Sequence, residues 1–173
     1  HYQGSVLDLL DEPFDLVVAH PPCTYLANSG VQHLHRDPER WDLMRAGARF
    51  FDMMFHFNAP RIAVENPVQH RYAVAETGRG RATQYVQPWQ FGHTESKRTG
   101  FWLVNLPPLR PTNVVYDEMM KLPIAQRQAT WWGKGKGARR AHARPRTFSG
   151  IAEAMAAQWG CLPATRSEAT LAT

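Results

Sequence analysis

The chain has 173 residues, 43% hydrophobic and 20% charged, with a formal net charge of +5. That is enough chain and enough apolar surface for one compact domain with a core, which excludes a disordered or low-complexity protein. No apolar run approaches the ~20 residues that cross a bilayer, and two cysteines far apart in sequence, Cys23 and Cys161, exclude a disulfide framework. With no signal peptide opening the chain and free thiols within it, a cytoplasmic protein without membrane contact is expected.

Residues 1–7 read as a short extended piece that begins in mid-fold. Leu16, Val17, Val18 and Ala19 form an uninterrupted apolar run, so residues 15–19 are predicted to be a strand buried on both faces, as parallel strands are. His20, Pro21, Pro22 and Cys23 end it abruptly. Asp37, Pro38 and Glu39 make a helix start: an N-cap acid, a proline in the first turn and a second acid. Trp41, Met44, Ala48, Phe51 and Phe55 follow at spacings of three and four, one apolar stripe on a helix that should end near Asn58, Ala59 and Pro60. Residues 61–65 are a second apolar strand, closed by Asn66 and Pro67. Strand, helix and strand make a βαβ unit with parallel strands.

A polar, glycine-rich loop is expected over residues 76–83. Residues 84–87 and 100–104 are further strand candidates, and Pro107, Pro108 and Pro111 mark an irregular segment. Lys134, Lys136, Arg139, Arg140, Arg144 and Arg146 then crowd together without an acid, a run that is either a solvated segment or a contact for a polyanion such as DNA. Residues 150–159 read as a helix with Ile151, Met155 and Trp159 on one face and Gly160 as its stop. The expected organisation is a single α/β domain over residues 1–160, with a small basic substrate-facing insertion at 105–146 and a flexible tail at 161–173.

Parallel neighbours end at one edge of their sheet, and open α/β sheets bind ligands at that edge. Cys23 follows the first strand and Glu65 ends the second, so a thiol and a carboxylate should face one crevice. The prolines would present the thiol on a rigid loop. A free thiol has a pKa of ~8.5 and needs activation to act as a nucleophile near neutrality. One reaction that uses a thiol and an acid beside a polyanion-binding segment is pyrimidine methylation. Addition of a thiolate to carbon 6 makes carbon 5 nucleophilic, and an acid that shares its proton with the ring nitrogen stabilises the charge that develops. A base in a duplex must be flipped out to be reached.

Pro21-Pro22-Cys23 with Glu65-Asn66 resembles the paired Pro-Pro-Cys and Glu-Asn-Val motifs of the DNA cytosine-5 methyltransferases, in the short form often encoded by phages; Pro67 stands in place of the valine. The resemblance implies a Rossmann-like methyltransferase fold with a mostly parallel sheet and flanking helices. It also implies that Cys23 is the nucleophile, that Glu65 binds the base, and that Asn66 braces the cysteine loop beside Pro22. Phe91-Gly92, Lys97-Arg98 and the apolar residues 101–104 are similar to a later motif, which would set Lys97 and Arg98 on the base or phosphates. Residues 144–150 are similar to the ending of the short form, and with them Arg144 and Arg146 become DNA contacts. The methyl donor would be S-adenosylmethionine. The family's glycine-rich donor motif, expected before the first strand, is absent, so the fold is read as N-terminally incomplete, with Gly4, Ser5 and Pro21 as the remaining donor-side residues. His20 stands where larger members usually carry glycine.

The expected activity is therefore methyl transfer to carbon 5 of cytosine in DNA. The alternatives are a DNA-binding remnant that lacks donor binding, a pyrimidine nucleotide methylase or hydroxymethylase that uses the same addition to carbon 6, and amino-group methylation, for which His20 lacks the needed acceptor. His33, His35, His56, His70 and His93 show no Cys/His ligand spacing, so no metal is assigned. Cys161 is read as structural. Trp131 and Trp132, beside the basic run, suit either base stacking or packing against the domain.

Overall fold

The computed structural model describes residues 1–128 and 147–163. The basic run, with Arg144 and Arg146, and the Trp131-Trp132 pair lie outside the described residues. No helix among them is long and apolar enough to cross a membrane.

The architecture is α/β. Four strands, β1 (Val17–Ala19), β2 (Ile62–Pro67), β3 (Gln84–Val86) and β4 (Thr99–Val104), form one sheet in the order β1-β2-β4-β3. β1 and β2 pair in parallel across the helix α1 (Glu39–Met53), so the expected βαβ unit is present. β4 runs antiparallel to both β2 and β3. The sheet is therefore mixed rather than mostly parallel. A parallel return needs a crossover, usually a helix, but residues 87–98 between β3 and β4 hold only the 3-10 turn Pro88–Gln90, so the chain doubles back.

Alternation along the strands divides the core in two. Ala19, Ile62, Val64 and Trp102 face one layer, where they meet Met44, Ala48 and Phe51 of α1. Val18, Ala63, Phe101 and Leu103 face the other, against Ile151, Ala154, Met155 and Trp159 of the last described helix, Ser149–Trp159. Phe51 is fully buried and meets the Trp102 ring edge-on at 5.0 Å, and truncating such a side chain costs about 3–5 kcal/mol. The predicted stripe of α1 is thus its core face. The Asp37 carboxylate accepts the Glu39 amide at 3.1 Å, as the helix-start signal implied. The helix stops at Met53, before the expected end; the amides of Met54, Phe55 and His56 then bond three residues back, and Phe57 packs into the core.

Three further differences concern local structure. Residues 1–7 are not one extended piece: Ser5 has extended backbone, but Val6–Leu9 form a 3-10 helix capped by Ser5, whose hydroxyl accepts the Leu7 amide at 3.3 Å. A helix unseen in the periodicity, α2 (Arg71–Thr77), starts where His70 Nδ1 accepts the Ala73 amide at 3.0 Å and stops at Gly78 with φ 64°. Within the insertion, α3 (Tyr116–Lys121) and α4 (Ile124–Arg127) follow the irregular proline segment. The helix Ser149–Trp159, the fifth described and α5 here, carries Ile151, Met155 and Trp159 on its buried face, as expected. The first residues of the expected tail are tied down: the Arg61 guanidinium donates to the carbonyls of Leu162 and Pro163.

Candidate active site

β1 ends at Ala19, opposite Val64, and β2 runs three residues further, to Pro67, beyond the expected strand end at Glu65. The next residues, His20 and Glu65, are therefore neighbours, and both continue the strand face that carries Val18 and Ala63. Their side chains meet: His20 Nδ1 lies 3.1 Å from Glu65 Oε2. The imidazole is about one-third exposed (36%) and the carboxyl less so (19%). The second carboxyl oxygen, Oε1, has no hydrogen-bond partner among the described residues. Asn66, one residue on, points to the opposite face and is fully buried. Its Nδ2 donates to the carbonyl of Pro21 at 3.0 Å, so β2 latches the proline loop directly.

Cys23 sits in that loop, half-buried, with Pro21 buried and Pro22 exposed. Beyond it the backbone turns tightly, the amides of Leu26 and Ala27 donating to the Cys23 carbonyl at 3.0 and 2.9 Å. The turn is clamped to the chain leaving β2: Asn28 donates to Val68, His70 donates to Leu26, and the His70 side chain meets the Tyr25 carbonyl at 2.9 Å. The nucleophile candidate is thus held from both sides by the β2 extension. Asn66 Oδ1 and both amide atoms of Gln69 in that extension are buried without a partner.

β4 is antiparallel, so its first residues reach the same edge: Thr99 pairs with Pro67. Lys97 and Arg98 precede it. The Lys97 ammonium lies 5.9 Å from the Phe148 ring centre, over the start of α5 and on the side that Glu65 faces. Arg98, more exposed, stacks its guanidinium on Tyr85 at 4.1 Å. A cleft of about 290 Å³ follows from the same edge, lined by Trp89, Ser96, Tyr116, Met119 and Arg127, where Trp89 meets Tyr116 edge-on at 5.0 Å. The insertion rests on this side, since Val115 donates to Trp89 and Ser96 to Arg127.

The structure therefore brings His20, Pro21, Pro22, Glu65, Asn66 and Lys97 to one edge, with the Cys23 turn beside them. Gly4 and Ser5 precede the short 3-10 helix Val6–Leu9. Ser5 spends its hydroxyl on its own helix cap, and the chain that follows is tied at Leu10, Asp11 and Phe14 to Asn58, which precedes β2 at the opposite end of the sheet. His20 is the functional candidate that motif reading passed over. The available signal was register: if β1 and β2 are parallel and end together, position 20 must stand beside position 65. Comparison with known proteins assigns no family: no protein-family model matches the chain, and no curated protein matches it.

Proposed function

We propose that the chain carries the pyrimidine-activating centre of a DNA cytosine-5 methyltransferase. The observation that supports this most is the joint placement of Glu65 and the Cys23 loop, through the parallel register of β1 with β2 and the Asn66 to Pro21 hydrogen bond. Pairing by two adjacent strand ends is how a nucleophile and an acid from distant sequence are held to one small planar ring.

The chemistry balances with these two residues and water. The Cys23 thiolate forms a bond to carbon 6 of the cytosine. The carbon 5–carbon 6 π pair shifts toward the carbon 4–nitrogen 3 edge, and nitrogen 3 takes a proton from the Glu65 carboxyl. The product is an enamine whose carbon 5 is nucleophilic, the position alkylated in methyl transfer. With no electrophile, carbon 5 takes a proton from water. The hydroxide left by that water takes the original carbon 5 hydrogen, the carbon 5–carbon 6 double bond re-forms as the thiolate is expelled, and the nitrogen 3 proton returns to the Glu65 carboxylate. The net result is exchange of the carbon 5 hydrogen with solvent. Lys97 and Arg98 supply positive charge at the same edge for the DNA backbone.

That exchange tests the reading without the methyl donor. Release of tritium from DNA labelled at carbon 5 of cytosine should be seen with the wild-type chain and abolished in Cys23→Ser, while Cys161→Ser retains it. No release above a protein-free control would exclude the activity. A second reading, a DNA-binding remnant without donor binding, is favoured by one feature, the absence of a glycine-rich donor motif before β1 in the given sequence. Calorimetric titration with S-adenosylmethionine separates the two, since the remnant takes up none.

A further inference from the structure

We propose that His20 is a positioning residue that fixes which oxygen of Glu65 carries the reactive proton. The inference rests on the cytosine reading above for its chemistry, and on the strand register and the His20–Glu65 contact for its geometry. His20 directly follows β1 and Glu65 lies near the end of β2, neighbours in a parallel register and on one sheet face. Their contact, Nδ1 to Oε2 at 3.1 Å, engages one carboxyl oxygen and leaves the other open. A carboxyl offered to the nitrogen 3 and amino edge of cytosine has two orientations, and only one sets its O–H on nitrogen 3. An Nδ1–H donated to Oε2 excludes a proton there, so the acid proton resides on Oε1. When that proton passes to nitrogen 3, the carboxylate left behind is held by the imidazole N–H through Oε2, whose second lone pair accepts from the exocyclic amine. His20 gives up no proton and touches no reacting atom. Its partly exposed ring is held by the Glu65 bond rather than by burial, so its removal leaves both core layers intact.

The test is tritium release at saturating and sub-saturating DNA, with a variant that retains the donor. His20→Ala should lower the release rate at saturation about ten- to a hundredfold, the cost of a misdirected catalytic group, with half-saturation and melting temperature unchanged. His20→Asn, whose side-chain N–H can occupy the place of Nδ1–H, should recover the greater part of the loss. Wild-type release in His20→Ala, equal losses in both variants, or a change in half-saturation alone would each overturn the proposal. The ring itself supplies a readout independent of activity: nitrogen-15 spectra should show the Nδ1–H tautomer in the wild type and its loss in Glu65→Ala. If the wild-type chain releases no tritium, the cytosine reading fails, and the spectra still decide on His20. The Nδ1–H tautomer, lost in Glu65→Ala, upholds the positioning, and an unchanged spectrum overturns it.

Discussion

Replacing Asn66 by aspartate tests the latch on which the site geometry depends. The two side chains have nearly the same shape, so the change removes a donor and adds an ionisable oxygen without opening a cavity. Asn66 is fully buried, and its Nδ2 donates to the Pro21 carbonyl at 3.0 Å. Loss of that donor leaves a carbonyl unpaired, at a cost of about 2 kcal/mol. The new carboxyl is buried against an oxygen, so its pKa is raised above the ordinary value of about 3.9, at about 1.4 kcal/mol per unit. The folded state then binds more protons than the unfolded chain between pH ~4 and the raised pKa, so the stability of the variant falls as pH rises through that window. Below it, the protonated acid donates its O–H to Pro21 in place of the amide, and the deficit shrinks. A raise of about two units gives a total near 4–5 kcal/mol at pH 8, or roughly 8–20 °C in melting temperature for a chain of this length. The assay is thermal or urea unfolding of Asn66→Asp and wild type in parallel from pH 4 to 8, since the difference cancels titrations common to both. A difference that does not change with pH, or a melting temperature within about 2 °C of wild type at pH 8, would refute the latch. Tritium release by the folded variant should also fall, because the cysteine loop is no longer held to β2.

Two further outcomes follow from packing and charge. A Cβ added at Gly150 would lie inside the contact distance of the Phe91 carbonyl, so Gly150→Ala must push α5 off the sheet, with an expected loss of about 2 kcal/mol or more by urea unfolding. At Asp52, burial acts to raise the pKa, but hydrogen bonds and charge from Arg79 and His56 outweigh it and hold the pKa below the usual range. A depressed carboxyl stabilises the fold above its unfolded pKa and loses that contribution as pH falls through its folded value. Because Asp52 is 36% exposed, screening limits the effect to about 0.5–1 kcal/mol, so Asp52→Asn should be less stable than wild type by that amount at pH 7 and equal to it near pH 2.

The parts of the fold that could be read from residue order were those set by local pattern. The α1 stripe, the two apolar strands and the last helix each follow from periodicity that burial enforces. The mixed sheet could not be read this way, because the direction of β4 depends on what lies between strands, and residues 87–98, with one 3-10 turn, carry no periodicity that signals a fold-back. α2 was missed for a related reason: its start signal is His70, and histidine at an N-cap is not among the residues that announce a helix. In the candidate site, Pro21-Pro22-Cys23 and Glu65-Asn66 stood out because each follows an apolar run, although β2 continues through Asn66 to Pro67. The Asn66 to Pro21 bond was foreseen only in outline. His20 was seen as a departure from a pattern rather than as a partner, since a contact between residues 20 and 65 exists only once register is known.

Register is also what ties this chemistry to the core. Sliding β1 by one residue against β2 would set Ala19 beside Glu65 and turn His20 toward the α1 layer. It would also carry Ala19, now in the core with Val64 and Phe51, to the α5 side, and bring Val18 into its place. The adjacent α1 layer is close-packed, with Val64 and Phe51 fully buried, so it has no room for the two added methyl groups without displacing a neighbour. The hydrophobic effect that selects the strand pairing therefore also selects the His20–Glu65 contact and the latch on the cysteine loop. Substitutions at Ala19 that enlarge the side chain should accordingly disturb tritium release and stability together, whereas His20→Ala separates them. That contrast distinguishes a residue that holds the strands in register from one that acts on the acid.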